Sequence, residues 1–196
     1  MAGLRAGVPG RRAGLSPVGP ARTQPDAGPR TRWCVVTFVE PAPAEFGREA
    51  WPLHLTWVPP FDAAEDDVVR ALTQVLTASS EDRSALETQT VGEAWFGRRR
   101  EVRVTELART ERIDVLHRAM LAALADTGVD VRAMRHVRDA FRPHVSAQGE
   151  RTLALGTVVD LGEVALVAMR PDGDARRRRV VRRWPLDGTE PSADVR

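Results

Sequence analysis

The sequence predicts an α+β protein with a bilobal, duplicated fold. Three observations lead there. Short β-branched and aromatic runs bounded by Pro and Gly recur through residues 31–186. Only two segments carry apolar residues at helical spacing, and each follows a strand-rich stretch. Each half also contains one strand in which a histidine is followed, two places on, by a hydroxyl residue. Strands and a helix, strands and a helix, then a run of strands fit two mostly antiparallel sheets, each packed by a helix, around a central groove.

The elements follow in order. Residues 1–30 are rich in Gly, Pro, Ala and Arg with Asp26 as their only acid, and are expected to form a disordered arm. Trp33–Glu40 (WCVVTFVE) reads as a buried strand, and Leu53–Val58 as a second strand ended by Pro59-Pro60. In Ala64–Thr77 the residues Val68, Val69, Leu72, Val75 and Leu76 share a helical face, with Asp62 as the expected cap. Ala85–Phe96 and Glu101–Leu107 read as a hairpin around Gly97-Arg98. Arg112–Ala125 is a second helix closed by Gly128. Phe141–Ala147, Leu153–Asp160, Val164–Arg170 and Arg178–Trp184 are further strands, with a hairpin turn at Asp172-Gly173. Residues 31–186 form the expected domain, and 187–196 a disordered tail.

Composition narrows the function classes. All 29 basic residues are arginine, there is no Asn or Tyr, and Ile113 is the only isoleucine. That pattern reflects a GC-rich coding sequence, so arginine abundance alone does not indicate nucleic-acid binding. The net charge is only +2. Cys34 is the single cysteine and sits in an apolar run, so it reads as a core thiol, with no disulfide and no thiolate cluster. No apolar run approaches the roughly 20 residues needed to span a bilayer, and no secretory signal is evident. The expectation is a cytoplasmic monomer without membrane contact or an obligate protein partner.

Two of the four histidines carry the functional signal. They are His54-Leu55-Thr56 within WPLHLTWVPPF and His144-Val145-Ser146 within FRPHVSAQ. Residues two apart on a strand share a face. His54 and Thr56 therefore point together, as do His144 and Ser146, with Arg142 and Gln148 on the same face. If the strands lie side by side, two imidazoles and two hydroxyls converge. One neutral imidazole can take a proton from water or a hydroxyl, and the other, protonated, can give one to a leaving oxygen. Hydroxyls and a nearby arginine can hold the phosphate oxygens. A phosphodiester suits this set, and no metal or other cofactor is required. A single strand histidine is more often satisfied by its neighbours; the matched pair is what carries weight.

The stretches WPLHLTWVPPF and FRPHVS resemble the paired H-x-[ST] signatures of the 2H phosphoesterase superfamily. Within it they are most similar to the 2'-5' RNA ligase-like, or RNA 2',3'-cyclic phosphodiesterase, branch. The resemblance covers roughly Trp33 to Leu186 and implies a bilobal fold. It implies hydrolysis of 2',3'-cyclic phosphate on RNA ends or nucleotides, with 2'-5' joining of RNA ends in some members. It implies catalytic roles for His54 and His144 and phosphate binding by Thr56 and Ser146. The chain departs from the pattern at Ala147-Gln148, where many relatives have an apolar and then a basic residue. Arg142 and Arg151 are the candidate replacements for the missing basic group, and Arg142, Gln148 and Arg151 the candidate substrate-binding residues. The departure also motivates an alternative: an RNA- or nucleotide-binding module with slow chemistry.

The remaining features have plainer readings. His117 is expected to be a partly exposed helix residue and His136 a surface-loop residue. No third ligand at metal spacing accompanies any histidine. The run Arg176–Arg179 with Arg182, Arg183 and Trp184 reads as a charge-guarded edge strand or as a phosphate-tracking surface with Trp184 stacking a base. Gly97-Arg98-Arg99-Arg100 is a second basic tip.

Overall fold

A computed structural model describes residues 29–79 and 86–186. Residues 1–28 of the expected arm, Ala85 of the expected hairpin and the whole expected tail lie outside the described residues. Arg30, assigned to the arm, already pairs with Ala64 in the first strand. The described elements are β1 (Arg30–Phe38), β2 (Glu45–Gly47), β3 (His54–Ala64), α1 (Glu65–Ser79), β4 (Glu87–Phe96), β5 (Val102–Leu107), α2 (Glu111–Asp126), β6 (His144–Ser146), β7 (Val158–Asp160), β8 (Glu163–Ala168) and β9 (Arg177–Pro185).

The α+β class and the antiparallel pairing follow the sequence pattern. The strands run β2-β9-β8-β1-β3-β6-β5-β4-β7. Strands from the two halves of the chain interleave: β8 and β9 join β1, β4 joins β5, and β3 pairs with β6, so all of them form one continuous sheet rather than two. One face packs on α1 and α2. Trp33, Val35, Leu55, Trp57, Leu72, Ile113, Leu124 and Leu166 are each 0–1% exposed in that core. Full burial of such side chains contributes about 1.5–3 kcal/mol each. The core also orients its polar atoms: Trp57 Nε1 donates to Thr37 Oγ1 (2.8 Å), which donates to the Glu163 carbonyl (2.6 Å). A smaller apolar cluster of Cys34, Val36, Ala165, Val167 and Val180 lies on the other face. Burial there pushes the Cys34 thiol up to about 12, consistent with a core thiol.

Several boundaries move for identifiable reasons. β3 does not stop at Pro59-Pro60; it continues to Ala64. Trp33 pairs with Phe61 and Val35 with Val58, so the two prolines fall in a bulge that demands no ladder N–H. Asp62 is therefore in a strand, paired to Arg32 at 3.0 Å, and does not cap α1. α2 begins instead with Thr110, whose Oγ1 accepts from the Ile113 N–H at 3.2 Å. Asp172-Gly173 lies in a short 3-10 turn with Asp172 at φ 54°. β2, three residues without a periodic signal, is set by its pairing with Arg177–Arg179 of β9.

Candidate functional site

β3 and β6 are antiparallel, with Leu55 opposite Val145. Continuing that register by one residue each way sets His54 opposite Ser146 and Thr56 opposite His144. Leu55 and Val145 point into the helix-packed core at 0% and 1% exposure. Alternation then sends all four polar residues to the opposite, groove face. The two motifs are thus crossed: the imidazole of each lies beside the hydroxyl of the other. The apolar residue between each pair anchors the arrangement.

Both histidines are held the same way. His54 Nδ1 lies 2.7 Å from the Pro52 carbonyl, and His144 Nδ1 lies 2.7 Å from the Arg142 carbonyl. A carbonyl only accepts, so Nδ1 carries the hydrogen and the Nε2 lone pair is left for the groove. Burial pushes the pKa of His54 below the usual histidine value; the Pro52 carbonyl opposes this and the charge of His144 adds to it. Burial likewise lowers His144; the Arg142 carbonyl and Glu106 oppose this, while Arg142 and His136 add to it. Both rings therefore favour the neutral, proton-accepting form until an anion enters.

The hydroxyls are distinguished by what they do not do. Thr37, Thr88, Thr90 and Thr105 all use their hydroxyls on protein partners. Thr56 and Ser146 are half-buried, and neither hydroxyl has a partner among the described residues. The two hydroxyls can donate to a tetrahedral anion, and either Nε2 can do so once its ring is protonated.

The flanks of the site differ. On the His54 side the β1–β3 connection folds over the sheet. Trp51 packs on His54 with ring centroids 4.5 Å apart, and Phe46 on Trp51 at 5.0 Å. Arg151 braces that connection by pairing with Glu40 and donating to the Trp51 carbonyl at 2.8 Å. Glu40 in turn accepts from the Leu53 N–H at 2.8 Å. On the His144 side there is an open cleft of about 520 Å³, lined by Thr56, Pro59, Phe96, His136, Arg142 and His144 among others. Phe96 packs edge-on against His144 at 4.7 Å, and the Arg142 guanidinium lies 4.7 Å over the Phe96 ring.

Not every residue singled out from the sequence takes the place expected of it. Arg142 borders the cleft and is paired with Glu106, its Nε donating at 3.0 Å. Gln148 is half-buried in a tight turn with Arg151, its backbone N–H donating to the Arg151 carbonyl at 3.0 Å. Arg151 reaches the His54 end as a brace, with its guanidinium engaged. His136 is exposed in a loop, as expected, and also lines the cleft. His117 is not partly exposed: it is 1% exposed, stacked on Phe141 and bonded at both nitrogens. Trp184 is 2% exposed and donates to Thr73 Oγ1, so it cannot stack a base. Arg177 and Arg179 are paired with Glu45, Arg179 also with Asp172, and Arg183 with Glu163. Arg178 is buried against three backbone carbonyls. Sequence reasoning missed Trp51, Glu40 and Phe96; the aromatic at Trp51 beside the first motif was an available signal, whereas Phe96 and Glu40 reach the site only through the fold.

A family model for the 2'-5' RNA ligase superfamily matches residues 31–157. The chain belongs to that superfamily. Among solved structures, a phosphoesterase aligns at TM-score 0.50 and 17% identity, covering 81% of this chain and 99% of that one. TT0787 of Thermus thermophilus aligns at 0.51 and 15%, covering 81% and 100%. E. coli LigT complexed with 3'-AMP aligns at 0.51 and 17%, covering 81% and 99%. These likenesses show a shared fold. No curated protein matches the chain. Among the described residues of this superfamily member, no helix is long and apolar enough to cross a membrane. No three His, Cys, Asp or Glu side chains among them are grouped to hold a metal ion.

Proposed function

We propose that the chain is a metal-independent phosphoesterase that opens a 2',3'-cyclic phosphate on an RNA end or nucleotide. The observation that carries this reading is the crossed register of β3 and β6, which sets each candidate imidazole beside a hydroxyl that has no partner among the described residues. Membership of the 2'-5' RNA ligase superfamily supports it.

In this reading His54 and His144 divide the proton transfers. One neutral Nε2 takes a proton from water as the water oxygen forms a bond to phosphorus. The bond from phosphorus to one ribose oxygen breaks, and that oxygen takes a proton from the other imidazole, which begins protonated. A ribose hydroxyl and a phosphomonoester result, and each ring ends in the other's starting state. Thr56 and Ser146 donate to the non-bridging oxygens as charge builds. The phosphate anion itself raises the depressed histidine pKa values and so supplies the protonated partner. A hydroxyl of a second RNA end in place of water would give ligation by the same transfers.

The test is incubation of purified protein in EDTA with a 2',3'-cyclic nucleotide and with a short RNA bearing a 2',3'-cyclic end. The His54→Ala/His144→Ala variant is the control. Phosphomonoester from the wild type alone supports the reading, and wild-type-like product from the variant refutes it. The engagement of both Arg142 and Arg151 by carboxylates favours a second reading, a nucleotide-binding module with slow chemistry. Tight binding of the cyclic nucleotide with no product after long incubation would select it.

A further inference from the structure

The β4–β5 hairpin projects beside the open cleft, and its tip differs from the arginine-rich strand β9. Arg98, Arg99 and Arg100 form the turn and all are exposed. None of their guanidinium groups has an ion-pair or hydrogen-bond partner among the described residues. The nearby carboxylate of Glu101 is turned onto the backbone: it accepts from the Arg99 N–H at 2.8 Å. It also lies over Gly97, where an added Cβ would sit 2.6 Å from it. The turn is thus built with its acid facing inward and three cations facing solvent. On β9, by contrast, Arg177, Arg178, Arg179 and Arg183 are already engaged.

The same hairpin carries an uncovered aromatic. Trp95 is 57% exposed, opposite Arg103 on β5. Trp95 and Phe96 take opposite faces of the hairpin, so Phe96 and Gly97 line the cleft while Trp95 faces outward. The three arginines follow Gly97 in the turn, so a chain that leaves the cleft past Phe96 and Gly97 would cross that turn to reach the indole on the opposite face of the hairpin.

We propose that this hairpin is a single-stranded RNA track: Arg98, Arg99 and Arg100 hold phosphates of nucleotides adjoining the reacting end, and Trp95 stacks a base. The inference rests on the phosphoesterase reading for its location but not for its test. A flexible polyanion matches unpaired cations on a protruding turn, and base stacking on an exposed indole needs no particular sequence. The track makes the protein favour an RNA end over a mononucleotide.

The experiment has two arms. In the first, binding of a short single-stranded RNA with a 3'-phosphate is measured by fluorescence anisotropy against salt, for wild type, Arg98→Ala/Arg99→Ala/Arg100→Ala and Trp95→Ala. Removing three phosphate contacts should lower the slope of log affinity against log salt by about 2. Trp95→Ala should weaken binding about tenfold. In the second, turnover of a 2',3'-cyclic mononucleotide should be unchanged in both variants while KM for the cyclic-ended RNA rises. Equal affinity and equal salt slope in all three proteins overturn the track, whatever the turnover. RNA binding that depends on the hairpin without turnover of either substrate upholds the track and overturns the phosphoesterase reading instead. All substituted residues are exposed, so a matched thermal midpoint verifies folding, and the wild-type salt slope is itself decisive: a flat slope overturns the proposal.

Discussion

His117 links acid stability to the geometry beneath the site. Its Nδ1–H donates to the Trp57 carbonyl at 3.0 Å, and its Nε2 accepts from the Arg138 N–H at 2.9 Å. Its ring stacks on Phe141 with centroids 3.8 Å apart. It therefore ties α2 to the residue after Thr56 and to the loop that leads into His144. A protonated ring would carry a hydrogen on Nε2, aimed at an N–H donor. Burial depresses its pKa to about 4; the Trp57 carbonyl and Asp114 oppose that shift, while Arg109 and Arg118 add to it. In the unfolded chain the ring titrates near the ordinary value of about 6.5. Between those values the unfolded state binds the proton and the folded state does not, so stability falls as pH falls. The contribution is full above about pH 6.5, and about 3 kcal/mol is lost by pH 4, with little more below. Urea unfolding followed by tryptophan fluorescence at several pH values across this window measures it. His117→Gln keeps a donor and an acceptor but cannot titrate, so its stability should fall by about 3 kcal/mol less than that of the wild type. Identical losses in the two proteins would refute the reasoning.

Other outcomes follow from the same geometry. His54→Ala and His144→Ala should each lower kcat by about 10²–10⁴-fold with circular dichroism unchanged, read on a cyclic nucleotide. Thr56→Val and Ser146→Ala should each lower kcat by about 10²-fold or more. Neither hydroxyl bonds to another of the described residues, so urea midpoints should move little in either variant. Because burial lowers both groove histidines in the free protein, kcat/KM should be highest on the acid side of the ordinary histidine value. The bound phosphate should displace the kcat profile to higher pH; coincident profiles would contradict this.

Much of the site is legible in the amino-acid sequence. Alternation in HLT and HVS places His54 with Thr56 and His144 with Ser146, because the side-chain period of a strand is local. The apolar residue between each pair indicates which face is buried. His117 and Trp184 depart from expectation for a shared reason. Both are amphipathic side chains that a core can accept when their polar atoms find partners, and those partners, Trp57, Arg138 and Thr73, are distant in sequence. The β9 arginines are ambiguous in the sequence because Glu45, Asp172 and Glu163 reach them only through strand pairing and turns.

The sequence by itself determined the class of elements, the two catalytic candidates, their hydroxyl companions and the face each pair shares. These depend on backbone periodicity and side-chain type, which neighbouring residues specify. Tertiary structure decided the crossed register, the merging of two strand sets into one sheet, the bracing of His54 by Trp51 and Arg151, and which arginines stay unpaired. Each of those is a pairing between segments far apart in the chain. Its free energy comes from burial and hydrogen bonds that exist only once the strands have met, so no local pattern records it.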